Sequence, residues 1–202
     1  MTYTSTKVLT FDDFIAQYGD NPRYELIDGE LRDIEPTGSH EAVTGQIIGY
    51  MFGEILRSRR NWIVPKNCLI KPPAMAATAL RPDAIVLDEA KLSQEPLWRK
   101  EPIVCNGSTI QLVVEVVSTN WQDDYARKVE EYALLGIPEY WIVDYLGIGG
   151  IAFIGKPKQP TFTVCQLMGD SYSHQQFRRG ESILSPTFPE LQLRLDDIIP
   201  RQ

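Results

Sequence analysis

Glu115 lies inside the most apolar run of the chain, Leu112-Val113-Val114-Glu115-Val116-Val117, and that placement is the first chemical signal in the sequence. The β-branched density marks a buried strand. An ionised carboxylate left alone in such a strand is costly, so it either takes a proton or finds a cation. Asp83 opens a second strand-like run, Asp83-Ala84-Ile85-Val86-Leu87, behind Arg81-Pro82, where the proline fixes the entry of the chain. Each residue also has a plainer reading: Glu115 as the partner of a nearby Lys or Arg, Asp83 as a turn residue at a strand start. Together they are hard oxygen donors of the kind Mg²⁺ prefers, with waters and a substrate phosphate completing an octahedron.

Lys128 is the third element. It falls in a helix expected over residues 123–135, which Gly136 and Pro138 close. Asp124, Lys128 and Glu131 share one face of that helix. One reading makes Asp124 and Lys128 an exposed i,i+4 pair worth roughly 0.2–0.5 kcal/mol. The other rests on position, since the first turns of a crossover helix lie near the end of the strand they follow. The strand of residues 111–117, this helix and the strand of residues 140–145 form such a crossover, which predicts parallel pairing.

The remaining elements frame these residues. Residues 10–18 read as a helix with Thr10 as cap and Phe11, Phe14, Ile15 and Tyr18 on one face. Asp28-Gly29 sits between Tyr24-Glu25-Leu26-Ile27 and Glu30-Leu31-Arg32-Asp33 as a two-residue hairpin signal. A longer helix is expected over residues 40–59, capped by Ser39, with Arg57, Arg59 and Arg60 at its end as a local candidate for phosphate contact. Short strands follow at residues 62–64, 68–70 and 83–87, then a loop over residues 88–107. Gly147 to Gly150 reads as a turn, residues 151–154, 161–167 and 172–177 as β-hairpin strands, and residues 188–195 as an alternating strand. The economical architecture is one α/β domain over residues 1–202, a central mixed sheet flanked by helices with extra C-terminal β-hairpins.

Bulk properties narrow the classes. The 202 residues, 43% hydrophobic and 23% charged, suit a soluble globular chain with a sizeable core. Residues 1–7 lack a basic start followed by an apolar stretch, no apolar run spans a bilayer, and Cys68, Cys105 and Cys165 fit neither a disulfide framework nor a zinc site. A cytoplasmic location is the simplest expectation. The net charge of −7 gives nucleic-acid binding no bulk support, so any basic footprint must be local. There is no Gly-x-Ser-x-Gly elbow, phosphate-loop glycine pattern or His-Glu-x-x-His.

Pro82-Asp83, Glu115-Val116-Val117-Ser118 and Lys128 resemble the PD-(D/E)xK nuclease superfamily. With Tyr24 to Glu30, His40, Arg81-Pro82-Asp83, Val114 to Ser118, Asp124 to Lys128 and Gly136-Ile137-Pro138-Glu139-Tyr140-Trp141, the chain more closely resembles a widespread bacterial restriction endonuclease family within it. The resemblance implies a restriction-endonuclease-like fold, Asp83 and Glu115 as ligands of Mg²⁺ (or Mn²⁺), and a lysine assisting the attacking water. It implies DNA phosphodiester hydrolysis and Glu25 as a further carboxylate of the site. His40, near a matching position, would accept a proton or hold a phosphate, although a lone histidine at a helix start is more often structural. The usual lysine position, two residues after the glutamate, is Val117; the resemblance therefore requires Lys128 to supply the ammonium from the helix. A homodimer is expected because cutting both strands needs two sites. The competing expectation is a non-catalytic nucleic-acid-binding or protein-interaction domain that keeps the fold; metal uptake separates the two.

Overall fold

Side-chain alternation along the strand of Glu115 decides the architecture. The computed structural model describes residues 8–73 and 75–200, so the N-terminal heptad read above lies outside the described residues. The elements run α1 (Phe11–Tyr18), β1 (Tyr24–Ile27), β2 (Glu30–Asp33), α2 (Gly38–Ser58), β3 (Trp62–Ile63), β4 (Leu69–Ile70), β5 (Ala84–Asp88), β6 (Ile103–Val104) and β7 (Ile110–Val116). There follow a π-helical turn (Asp123–Arg127), α3 (Lys128–Leu134), β8 (Glu139–Asp144), α4 (Ile151–Ile154), β9 (Thr161–Met168), β10 (Ser171–Phe177) and α5 (Leu195–Ile198).

Six strands form a mixed sheet in the order β10-β9-β8-β7-β5-β3. β7 pairs antiparallel with β5 and parallel with β8, as the crossover unit predicts. Because successive side chains point to opposite faces, Leu112, Val114 and Val116 join one core with Val43, Ile47, Met51 and Ile55 of α2. Val113 and Val117 join the other, with Tyr125, Tyr132, Tyr140 and Ile142. Glu115 shares the parity of Val113 and Val117, which aims its carboxylate at the helical face that carries Lys128.

Local signals behave as their chemistry dictates. Thr10 caps α1 in a complete capping box with Asp13, and Asp28-Gly29 turns the hairpin with both residues at positive φ. Four expectations are corrected. Thr37, not Ser39, accepts from the His40 amide and caps α2. Residues 151–154 form the helix α4 between Gly150 and Gly155 rather than a hairpin strand. The alternating tail contributes one isolated bridge, Ser182 to Arg194, and then α5; its apolar residues pack on the α2 side of the sheet. Leu69 and Ile70 pair in parallel with β6, apart from the main sheet, inside what read as a loop. Among the described residues no helix is long and apolar enough to cross a membrane.

In the block Gly136 to Asp144, Gly136 and Glu139 serve the fold. Gly136 takes φ +74° after α3, and the fully buried Glu139 gathers three donors. Its Oε1 accepts from Trp141 Nε1 and, at 2.7 Å, from Ser185 Oγ, while Oε2 accepts the Thr187 amide at 2.6 Å. Glu139→Ala leaves these buried donors unpaired and should cost about 3 kcal/mol. Urea denaturation checks this, and a loss below about 0.5 kcal/mol would contradict the assignment.

Candidate active site

β5 and β7 run in register from Ala84 opposite Val114, so Asp83, one residue earlier, stands level with Glu115. There its Oδ2 accepts the Val116 amide at 2.7 Å. Glu115 Oε1 accepts from the Tyr132 hydroxyl at 2.7 Å, and Glu115 Oε2 lies 3.1 Å from Lys128 Nζ. The same ammonium is 3.3 Å from Asp124 Oδ1 and 3.4 Å from Glu25 Oε1. Glu25 Oε2 accepts the Arg81 amide at 3.1 Å. Lys128 is only 4% exposed, which overturns the reading of Asp124 and Lys128 as an exposed surface pair. The helix starts with a π-helical turn, and it carries both residues inward onto the end of β7.

His40 enters from the opposite side. The N-terminus of α2 brings its Nε2 to 2.8 Å from the Val116 carbonyl and 3.3 Å from Asp83 Oδ2. Facing two acceptors, Nε2 carries the proton, and Nδ1 is buried without a hydrogen-bond partner among the described residues. Burial pulls the imidazole pKa down, but the hydrogen bond and charge of Asp83 outweigh it, and the net shift is upward.

The carboxylates of Glu25, Asp83, Glu115 and Asp124 thus surround a cavity of about 30 Å³, which His40, Arg81, Asp123 and Lys128 also line. That is room on the scale of a water molecule. Burial drives Glu115 well above the usual carboxylate range; Lys128 opposes the shift, while Asp83, Asp124 and Glu25 add to it. Burial likewise moves Asp124 up to about 6, against Lys128 and with Asp83 and Glu25. Burial pulls Lys128 down, yet Glu115, Glu25 and Asp124 reverse this and hold it protonated well above its ordinary value. One ammonium and one guanidinium, that of Arg81 near Glu25, are too little positive charge for four ionised carboxylates. The cleft therefore favours a proton or a further cation.

Among the described residues no group of three or more His, Cys, Asp or Glu side chains is arranged to hold a metal ion, so a closed protein cage is excluded for them. Two carboxylates are the share of an octahedron that an ion such as Mg²⁺ takes from protein, completing it with waters and substrate oxygens. In that sense the residues fit.

The other buried acids differ. Glu95 accepts from the Cys105 and Asn106 amides and the Thr109 hydroxyl, and Asp144 accepts the Ile148 and Gly149 amides. These fasten loops. Glu131, expected on the face of Lys128, pairs instead with Arg127, which also holds Asp28 of the hairpin turn. The structure brings together Asp83, Glu115, Lys128, Glu25 and His40. It adds Asp124, which the helical spacing put beside Lys128 without a role in the site, and Tyr132, which sequence reasoning left out. The spacing Asp124, Lys128, Tyr132, each four apart, was the available signal. The arginine cluster lies elsewhere: Arg57 pairs with Glu54, Arg60 covers the Trp62 ring, and the length of α2 puts them about 25 Å from His40.

A family model described as "Uma2: Putative restriction endonuclease" matches residues 11–196. Among solved structures, a "putative nuclease belonging to DUF820" from Anabaena variabilis superposes with a TM-score of 0.68 at 17% identity, over 95% of this chain and 97% of that one. At that identity the likeness shows the restriction-endonuclease-like fold. Comparison with curated protein sequences gives no match.

The charge imbalance makes a stability prediction. In EDTA, Lys128→Met strands three buried carboxylates and should lose about 3–5 kcal/mol. Glu115→Gln removes one excess charge and keeps Tyr132 paired, so it should melt at the same temperature as wild type or higher. Calorimetry of both variants checks this; a large loss for Glu115→Gln would contradict the excess of negative charge.

Proposed function

The chain belongs to the Uma2 family of restriction-endonuclease-like proteins, and from that premise we propose that it is a metal-dependent endonuclease hydrolysing DNA phosphodiester bonds. One observation carries the reading: three carboxylates, those of Glu25, Glu115 and Asp124, converge on a single buried ammonium at the ends of β5 and β7, and Asp83 lines the same water-sized cavity. Asp83 and Glu115 would hold Mg²⁺ or Mn²⁺. When bound, such an ion supplies charge neutralisation at the phosphate and a water of lowered pKa.

The roles of the chain's own groups follow from their contacts. Val116 N–H and His40 hold Asp83 Oδ2, and Tyr132 O–H holds Glu115 Oε1, so each acid is oriented before any cation arrives. Lys128 stays protonated, so it acts as a donor of charge and hydrogen bonds toward the phosphoryl oxygens or the attacking water, not as a base. Glu25 and Asp124 fix the ammonium. Val117, at the position of the usual lysine, is 1% exposed and packs in the core; Lys128 reaches Glu115 from the helix instead. A twofold homodimer is part of the proposal, because each copy offers one such cleft and a duplex has two strands.

Cleavage of DNA with Mg²⁺ or Mn²⁺, and its loss on chelation, tests the reading. Asp83→Ala and Glu115→Ala should each abolish cleavage. Lys128→Ala should lower the rate about 100-fold or more while Mn²⁺ still binds, since an ammonium is no ligand. Cleavage that survives both carboxylate substitutions unchanged would place the chemistry elsewhere. Failure of the wild type to take up Mn²⁺ at millimolar concentration would favour a non-catalytic binding domain.

A further inference from the structure

The chain is acidic overall, at −7, but its charge is unevenly distributed. From Tyr145 to Gly180 there is a single acid, Asp170, against Lys156, Lys158, Arg178 and Arg179. Topology gathers the four cations at one place. β9 begins opposite the last residue of β8, with Thr161 across from Asp144, and β10 ends opposite the start of β9, with Phe177 across from Phe162. Both cation pairs therefore project from the sheet end where β7 delivers Glu115. Asp170 sits on the turn between β9 and β10, at the far end of both strands, whereas Glu181 and Asp196 lie at the end of β10, where their carboxylates accept the Arg178 and Gly180 amides. Arg178 Nη2 donates to the Ile154 carbonyl at 2.6 Å, and Lys158 Nζ to the Ile148 carbonyl at 2.8 Å, which folds the α4 loop against the end of β10. Lys156, Lys158 and Arg179 remain exposed.

Between these cations and the cleft lies an aromatic platform. Asn120 lines the cleft, and the next residue, Trp121, meets Phe153 edge-on at 6.0 Å, with Tyr125 stacked on Phe153 at 5.1 Å. Phe153 and Ile151 are 37% and 55% exposed although both are large and apolar. With strands about 4.8 Å apart, β10 lies some 14 Å from β7.

We propose that this surface is the track of a single DNA strand leaving the cleft, with phosphates on Lys156, Lys158 and Arg179 and an unpaired base on the Trp121–Phe153 platform. Cations in the open neutralise phosphates, and exposed aromatic faces stack unpaired bases without regard to sequence. A duplex would keep its bases from that platform. The proposal rests on the nuclease reading for the identity of the cleft, but its test does not need cleavage.

The experiment is fluorescence anisotropy in EDTA with a labelled 20-nucleotide single strand and the matching duplex, over a range of salt. The wild type should bind the single strand more tightly than the duplex. Lys156→Glu with Arg179→Glu should weaken single-strand binding at least tenfold and flatten the salt slope by about 1.4, from two lost phosphate contacts. Phe153→Ala should weaken the single strand at least threefold and leave the duplex unchanged. Thermal melting confirms that these exposed substitutions leave the fold intact. Wild-type affinity and salt slope in the double charge reversal would overturn the proposal, as would a preference for duplex or no binding at micromolar protein. Binding that behaves as expected without Mn²⁺-dependent cleavage supports the track and sinks the nuclease reading. Cleavage with binding indifferent to these substitutions does the reverse.

Discussion

An ammonium group enters a protein interior only with anions around it, and Lys128 meets that condition by drawing carboxylates from three separate parts of the chain. Glu25 comes from the β1–β2 hairpin, Glu115 from the central strand β7, and Asp124 from the π-helical turn that precedes α3. The approach of the hairpin to the helix follows from this contact and from Arg127, which clasps Asp28 and Glu131. Buried ion clusters are poor sources of stability, because desolvation consumes most of the Coulombic gain. This one has, in addition, more acid than base. Such an imbalance is costly for the fold alone and useful for holding a cation, which fits the stability commonly given up at functional sites.

The contrast among the buried acids supports the same division. Glu95, Glu139 and Asp144 are each surrounded by amide and hydroxyl donors and act as fasteners. The acids around the cleft are each held on one oxygen: Asp83 Oδ2 by Val116 N–H and His40, Glu115 Oε1 by Tyr132 O–H and Glu25 Oε2 by Arg81 N–H. Their remaining oxygens face Lys128 or the cleft. The antiparallel β5–β7 pair and the parallel β7–β8 pair place the start of β5 and the ends of β7 and β8 on one side. The site and the basic surface beyond it are therefore consequences of one topology.

Much of this was legible in the residues themselves. Glu115 stood out because a strand of Leu, Val and Ile has no ordinary use for a carboxylate, and strand parity then decided which helix it must face. Lys128 was ambiguous for a physical reason: i,i+4 spacing to Asp124 is the same on a wet face and on a dry one, and only tertiary packing separates them. The Tyr132 hydroxyl was hidden because a tyrosine on an apolar helix face looks like core. Ile151-Ala152-Phe153-Ile154 is four apolar residues between glycines, too short for periodicity to choose helix over strand. The 188–195 run alternates, yet its side chains fill the α2 core as an irregular segment. Arg57, Arg59 and Arg60 drew attention as adjacent cations, whereas Lys156, Lys158, Arg178 and Arg179 are brought together only by the β9–β10 pairing.

The most direct test of the account is a crystal soaked in millimolar Mn²⁺ and measured for anomalous scattering. The account predicts a peak in the cleft, about 2.1–2.2 Å from one oxygen each of Asp83 and Glu115, with Lys128 Nζ nearby and outside the coordination sphere. A cleft without an anomalous peak, or a manganese ion bound away from Asp83 and Glu115, would contradict it.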